Sequence, residues 1–167
     1  GMTLAQVETP PTQSSQKQSS QTPSSQTSTA SPQVASVMTP VHVVKLPLPQ
    51  GLHLVLIHPH LQIKTKDARQ VLNSHVSLQD FVTQSAHLAR FISACYTDNL
   101  KEFKNSLQDF IIEPQRQHLI PGFQQVKKAA LEAGALGCSI SGSGPSVFAF
   151  AASEYEAKRI LFAMSHV

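Results

Sequence analysis

Apolar residues fall into strand-like runs only after residue 40 of the chain. Val41–Leu46 and His53–His58 are rich in β-branched and aliphatic residues, which predicts two strands joined by a turn that contains Pro and Gly. Cys138–Ser141 and Ser146–Ala151 have the same character and flank a glycine-rich turn. The pattern therefore predicts strand pairs near both ends of the apolar part of the chain.

Between the strand pairs, apolar residues recur at helical steps of three and four. A short helix is predicted with Thr65 as its N-cap, and a long helix over Ser77–Tyr96. The predicted apolar face of the long helix consists of Phe81, Leu88, Ile92 and Cys95. Asp98 and Asn99 should end this helix, because both residues favour turns over helix interiors.

Three further helices are predicted by the same periodicity. The first runs from Leu100 through Phe103, Leu107, Phe110 and Ile111, and Pro114 should end or kink it. The second starts at Pro121, which suits a first helical turn, and ends near Gly134, with Phe123, Val126 and Ala130 facing inward. The third begins with a capping box of Ser153 and Glu156 and continues through Ala157, Ile160, Leu161 and Met164.

The order strands, helices, strands, helix predicts the fold class. It favours an α+β fold, a mostly antiparallel sheet with helices packed on one face. Residues 1–40 differ from the rest of the chain in composition. Nearly every residue from Thr9 to Gln33 is Ser, Thr, Gln or Pro, and the only charged residue there is Lys17. Such a segment has too little apolar surface to offset the entropy of ordering. We therefore expect a disordered tail over 1–40 and one domain over 41–167.

Composition narrows the classes of function. The formal net charge is +3 and no basic stripe interleaves with aromatic residues, which argues against nucleic-acid binding. The longest apolar runs, such as 147–152, are too short to span a membrane. Cys95 and Cys138 lie in apolar surroundings without a spaced partner, which predicts reduced, buried thiols in a cytoplasmic protein. The eight histidines lack metal-ligand spacing, so no metal site is predicted.

The turn Gly142-Ser143-Gly144-Pro145 is the densest cluster of small residues. Glycines permit positive φ and let backbone N–H groups approach an anion, while Pro145 removes one donor. Taken alone, the turn is compatible with a tight strand connection as well as with an anion site. Neighbouring segments decide between the two.

Four segments in order carry a more specific pattern. They are His58-Pro59, Thr65–Arg69 (TKDAR), the pair Ile112–Arg116 (IEPQR) with Leu119–Phe123 (LIPGF), and Ile140–Ala149 (ISGSGPSVFA). Together they closely resemble the homoserine kinase branch of the GHMP kinase family, in its C-terminal domain. The resemblance covers residues 41–167, and 86–96 (AHLARFISACY) is similar to that branch's long helix.

This resemblance implies an activity. Members transfer a phosphoryl group from ATP, with Mg²⁺, to the side-chain hydroxyl of L-homoserine, giving O-phosphohomoserine on the route to threonine. It also implies a cytoplasmic enzyme that forms a homodimer. No Asp, Glu or His here stands out as a general base, which is compatible with phosphoryl transfer because that chemistry relies mainly on positioning and charge neutralisation.

The resemblance also implies site residues. Two arginines hold the substrate's α-carboxylate, and the glycine loop lines the region of the hydroxyl and the γ-phosphate. The corresponding positions are Arg69, Arg116, Ser141, Gly142, Ser143 and Gly144. Guanidinium groups match a carboxylate bidentately. The alternatives are ion pairs, of Arg69 with Asp67 or Glu113 and of Arg116 with Glu113, and a plain turn role for Ser143.

One family motif has no counterpart in the 167 residues. The phosphate-cradling sequence P-x-x-x-G-L-G-S-S-A is absent, and the only glycines before the C-terminal half are Gly1 and Gly51. We therefore expect a missing N-terminal half to bind ATP and Mg²⁺, and the chain to be inactive alone. The alternatives are a non-catalytic small-molecule-binding or oligomerisation module derived from this family, and a GHMP kinase for a different alcohol.

Overall fold

A computed structural model describes residues 42–167 of the protein, and the predicted tail 1–40 lies outside the described residues. The described range contains three strands, six α-helices and a short 3₁₀ turn at Gln117–Leu119. In chain order the strands and α-helices are β1 His53–Ile57, α1 Thr65–Gln70, α2 Leu78–Tyr96, α3 Leu100–Ser106, α4 Glu113–Arg116, α5 Phe123–Glu132, β2 Gly137–Ile140, β3 Val147–Ala151 and α6 Glu154–Ser165.

The three strands form one antiparallel sheet in the order β1-β3-β2. In this register Val55 and Cys138 both lie opposite Ala149, so their side chains share one face of the sheet. Leu54 lies opposite Phe150, as Gly137 does from the other side, and these residues belong to the second face. The predicted mostly antiparallel sheet is confirmed.

Helices α5 and α6 cover the first face of the sheet. Phe123 and Ala130 from α5, with Ile160 and Met164 from α6, are all buried in the same cluster as the inward residues of the strands. These residues match the faces that the helical periodicity predicts for both helices. Ser153 caps α6 by accepting a hydrogen bond from the Glu156 N–H at 3.2 Å, as predicted.

Helices α2 and α3 form a second cluster at one end of the other face. Phe103 of α3 is fully buried, and its ring lies 5.3 Å from that of Phe150 on β3. Ala94 and Cys95 of α2 complete the buried part of this cluster. The α+β class is therefore confirmed, with α5 and α6 on one face and an additional contact from α3 on the other.

Two element predictions are wrong. No strand forms in residues 42–46, where Val43 and Val44 are 85% and 68% exposed. A β-branched run becomes a strand only when it finds a ladder partner, and β1 pairs with β3 instead. The helix after Leu100 ends at Ser106 rather than continuing to Ile111.

The chain turns after α3 because of Asp109. Its Oδ1 accepts hydrogen bonds from the N–H groups of Ile111 and Ile112, at 2.9 and 2.7 Å, which forms a local turn in place of a helix. Pro114 then lies in the first turn of α4, where its missing N–H breaks no helical hydrogen bond. Pro114 therefore helps to start a helix instead of ending one.

Several boundaries and one helix face also differ from the prediction. Thr65 is the first residue of α1 rather than its N-cap, and α5 begins at Phe123, after Gly122, so Pro121 precedes it. On α2, Phe81, Leu88 and Ile92 are exposed, and the buried face is centred on Ala94 and Cys95. Periodicity located this helix and correctly placed Cys95 on its buried face, but the three large apolar residues predicted with it are exposed.

Both cysteines are buried and unpaired, as predicted. Within residues 42–167, no helix has the length and apolar character needed to cross a membrane.

Candidate functional site

The glycine turn between β2 and β3 is closed by its own backbone. The Ser141 N–H donates to the Ser146 carbonyl at 2.8 Å, and the Gly144 N–H donates to the Ser141 carbonyl at 3.0 Å. The N–H groups of Gly142 and Ser143 meet no acceptor in the described part of the chain. The turn thus leaves two adjacent backbone N–H groups without a partner in this part of the chain, and adjacent backbone donors of this kind can bind an anion.

The two glycines of the turn are required for different reasons. Both have positive φ, +59° at Gly142 and +82° at Gly144. A Cβ on Gly142 would meet nothing within 4 Å, so this side of the loop is open. A Cβ on Gly144 would lie 3.1 Å from Ile120 Cδ1 and 3.4 Å from Ile63 Cδ1. Gly142 thus leaves space for an approaching molecule, whereas Gly144 allows the loop to pack on the core.

Arg116 joins the glycine turn to α1. Its Nε donates to the Ala68 carbonyl and its Nη1 donates to the Gly142 carbonyl, both at 2.9 Å. A guanidinium has five N–H donors, so these two bonds leave three for a ligand. Arg116 is half-buried, and its two bonds to backbone carbonyls fix the plane of its guanidinium. The arrangement can accept a carboxylate bidentately.

Arg69 lies on α1, directly after the buried Ala68 that Arg116 contacts. Its side chain is exposed, and in residues 42–167 it forms neither an ion pair nor a hydrogen bond. The predicted pairing with Asp67 or Glu113 does not form. The structure therefore brings α1, Arg116 and the glycine turn together, and leaves the Arg69 side chain free at their edge.

Glu113 contacts neither arginine. The residue is 7% exposed, and its carboxylate pairs with Lys127 of α5 and accepts a hydrogen bond from the Ser139 hydroxyl at 2.6 Å. The predicted alternative, an ion pair between Arg116 and Glu113, is therefore wrong. The neighbouring Cys138 thiol has its pKa raised to about 12, because burial disfavours the thiolate; the Lys127 charge opposes this shift and the Glu113 charge adds to it.

A further contact fixes the far side of the turn. His58, directly after β1, has its Nδ1 2.8 Å from the Ser146 hydroxyl, directly before β3. The loop is thus held by Arg116 at Gly142 and by His58 at Ser146. The pattern of motifs includes His58, but it does not predict this partner, which lies 88 residues away.

The sequence did not reveal what Arg116 touches. Its partners Ala68 and Gly142 are 48 and 26 residues away, and both accept through backbone carbonyls, which every residue has. No residue type at those positions could have indicated the contact. Within residues 42–167, no group of three or more His, Cys, Asp or Glu side chains lies close enough together to hold a metal ion.

Comparisons with known proteins give consistent results. Residues 91–167 match the family model described as GHMP kinases C terminal. The homoserine kinase of Chlorobium phaeobacteroides strain BS1 is 46% identical over 125 residues, 75% of this chain and 39% of that enzyme. The homoserine kinase of Xylella fastidiosa strain M12 is 44% identical over 108 residues, 65% of this chain and 34% of that enzyme.

A solved structure is similar as well. The crystal structure of homoserine kinase from Cytophaga hutchinsonii ATCC 33406 matches with a TM-score of 0.74 and 47% sequence identity, covering 75% of this chain and 40% of that one. The chain thus spans about two fifths of the length of this protein and of the Chlorobium enzyme.

Proposed function

We propose that this chain is the substrate-side part of a homoserine kinase, because residues 91–167 match the family model described as GHMP kinases C terminal. In this role it binds L-homoserine and presents the side-chain hydroxyl for ATP-dependent phosphorylation, in threonine biosynthesis in the cytoplasm. The observation that carries the proposal is Arg116, whose guanidinium is fixed between Ala68 and Gly142 with three donors left for a carboxylate.

Arg116 and Arg69 both bind the α-carboxylate of the amino acid, from different sides. Arg116 receives the α-carboxylate in a fixed orientation, and Arg69 closes on it from the exposed end of α1. A charge-assisted fork of this kind is roughly twice as strong as a neutral hydrogen bond and sets direction as well as affinity. Holding the carboxylate places the hydroxyl of the same small molecule at a defined distance from the turn.

The glycine turn faces the reacting end of the substrate. The free N–H groups of Gly142 and Ser143 stabilise negative charge on the transferred phosphoryl group, and the Ser143 hydroxyl adds a third donor. ATP with Mg²⁺ supplies the phosphoryl group. We propose that their ligands belong to an N-terminal ATP-binding half, and that the assembled enzyme is a homodimer.

The proposal is tested by a graft. Residues 42–167 replace the 125 matching residues of the Chlorobium phaeobacteroides enzyme, and formation of ADP and O-phosphohomoserine is measured. The chain alone, and the chain mixed with the remainder of that enzyme, are assayed in parallel. We expect phosphorylation of homoserine in the graft and none by the chain alone. A graft that folds and prefers another alcohol, or that phosphorylates nothing, would contradict the proposal.

Variants of Arg116 in the same graft test whether this residue binds homoserine. Arg116→Ala should raise the KM for homoserine roughly tenfold or more, the scale of one lost charge-assisted contact, with the KM for ATP unchanged. Arg116→Lys keeps the charge but loses the fork, so it should recover only part of the loss. Arg90→Ala is the control, because Arg90 pairs with Glu102 on the surface. An unaltered homoserine KM in Arg116→Ala would remove Arg116 from the binding site.

A further inference from the structure

Helix α4 is a single turn whose side chains contact five parts of the fold: α1, the segment after α1, the glycine turn, α5 and β2. It has only four residues, Glu113–Arg116, too few to be stable on helical hydrogen bonds alone. Its side chains reach in different directions: the Gln115 Oε1 accepts from the Asn73 N–H at 2.6 Å, while Arg116 reaches Ala68 and Gly142. The position of α4 must therefore be set by what its side chains contact.

Glu113 makes the inward contact of this turn. Its carboxylate is almost fully buried and has two partners, Lys127 on α5 and the Ser139 hydroxyl on β2. A carboxylate is removed from water at high cost unless it is paired and hydrogen-bonded, so these contacts define one favourable position for it. Since α5 and β2 both contribute residues to the main buried cluster, Glu113 fixes α4 to the core of the domain.

We propose that Glu113 is a positioning residue for Arg116. It lies three residues before Arg116 on the same helical turn, and it contacts neither the glycine turn nor α1. By fixing α4 against β2 and α5, Glu113 holds the Arg116 guanidinium where it can donate to Ala68 and Gly142 at the same time. The consequence for substrate binding rests on the proposed function, whereas the effect on Arg116 does not.

The geometry of Arg116 is demanding. Both of its hydrogen bonds are 2.9 Å long, to carbonyls on two different elements. A shift of α4 by about 1 Å would stretch at least one of them beyond hydrogen-bonding distance. Misplacement on this scale is enough to reduce the rate of an enzyme about a hundredfold.

The Arg116 Nε–H provides a direct readout by NMR on the chain as it stands. In the unmodified chain this proton is hydrogen-bonded to Ala68, so it should exchange slowly with water. In Glu113→Ala the exchange should become at least about tenfold faster, and Glu113→Gln, which keeps the shape and one acceptor, should lie between. Glu156→Gln is the control, because the half-buried Glu156 carboxylate accepts a hydrogen bond from the Ala152 N–H at the start of α6, away from α4.

If Glu113→Ala does not fold, two further variants test whether Glu113 positions Arg116. Ser139→Ala and Lys127→Gln each remove one partner of Glu113 without altering α4. Faster exchange of the Arg116 Nε–H in both, with Glu156→Gln unchanged, supports the proposal. Folded variants of Glu113, or of both its partners, in which Arg116 exchanges as in the unmodified chain would overturn it.

A kinetic measurement in the graft separates this proposal from the proposed function. Glu113→Ala should raise the KM for homoserine toward the roughly tenfold increase expected for Arg116→Ala, and Glu113→Gln should raise it less. Both should leave the KM for ATP unchanged, a split that simple destabilisation does not produce. If the graft does not phosphorylate homoserine at all, the proposed function fails while the NMR result still tests the position of Arg116. If homoserine is phosphorylated and neither the exchange nor the KM responds to Glu113, only the positioning proposal fails.

Discussion

The two glycines of the β2–β3 turn, Gly142 and Gly144, differ in the surroundings that a side chain would meet at each position. Gly142 and Gly144 both have positive φ, which costs an L-residue about 1 kcal/mol. Only Gly144 lies against the core, where the nearest atom belongs to Ile120, a residue that is 4% exposed and has little room to move. At Gly142 a side chain would therefore cost only backbone strain, whereas at Gly144 it would also cost packing against the core.

This difference predicts unequal losses of stability. Gly142→Ala should lower the free energy of unfolding by about 1 kcal/mol, the backbone term alone. Gly144→Ala should lower it by about 2–3 kcal/mol, because overpacking against Ile120 adds to the backbone term. Urea denaturation followed by circular dichroism measures both. Gly122→Ala is the control, since Gly122 has a φ of +80° and open space around it; equal losses at Gly142 and Gly144 would rule out the packing explanation.

The sequence identified the candidate site residues by type and order, but it did not predict their contacts. The segments containing Arg116 and the glycine turn were identified because their residue types and order are specific. The bonds of Arg116 to two backbone carbonyls, and the pairing of Glu113 with Lys127 rather than with Arg116, depend on how distant segments pack. Those distances are set by the tertiary fold, which local spacing does not encode.

Among the elements, α2 shows where periodicity misleads. The predicted face contained Phe81, Leu88, Ile92 and Cys95. Of these only Cys95 is buried, and it packs with the small Ala94 against α3. Small residues allow two helices to approach closely, and α3 supplies the large ring of Phe103. A count of hydrophobicity favours large side chains, so it assigned Phe81, Leu88 and Ile92 to the buried face although they are exposed.

A pair of phenylalanines tests this arrangement of α2 and α3. Phe103→Ala should lower the free energy of unfolding by about 3–5 kcal/mol, because it empties a fully buried position between Phe91 and Phe150. Phe81→Ala, at a position 57% exposed, should lower it by less than about 1 kcal/mol. Thermal and urea unfolding measure both, and Phe103→Leu serves if the alanine variant does not fold. A larger loss at Phe81 than at Phe103 would mean that the sequence-predicted face is the buried one.

Across the whole described domain, the sheet depends on pairing between distant segments. β1 pairs with β3 in a register that places His53 opposite Ala151, although five α-helices and β2 lie between them in the chain. The sequence predicted β1, β2 and β3 from their composition and the β2–β3 hairpin from its glycines. It could not predict that β1 pairs with β3, or that residues 42–46 remain unpaired, because strand partners are chosen by the complete fold.

The predicted tail gives a test at the scale of the whole chain. Residues Thr9 to Gln33 carry one charge, Lys17, and almost no apolar side chain. Because a segment without apolar surface gains nothing from packing, deletion of 1–40 should leave the urea midpoint and the m-value unchanged and shift Tm by less than about 2 °C.

A longer deletion is the matched control for this prediction. Removing 1–52 also removes Leu52, which packs against the cluster of Ala94, Cys95 and Phe103, so it should lower Tm by several degrees. Differential scanning calorimetry of the three chains compares them directly. A fall in both Tm and the m-value on deleting only 1–40 would mean that the tail buries surface in the folded protein, and residues 41–167 could then no longer be treated as an independent domain.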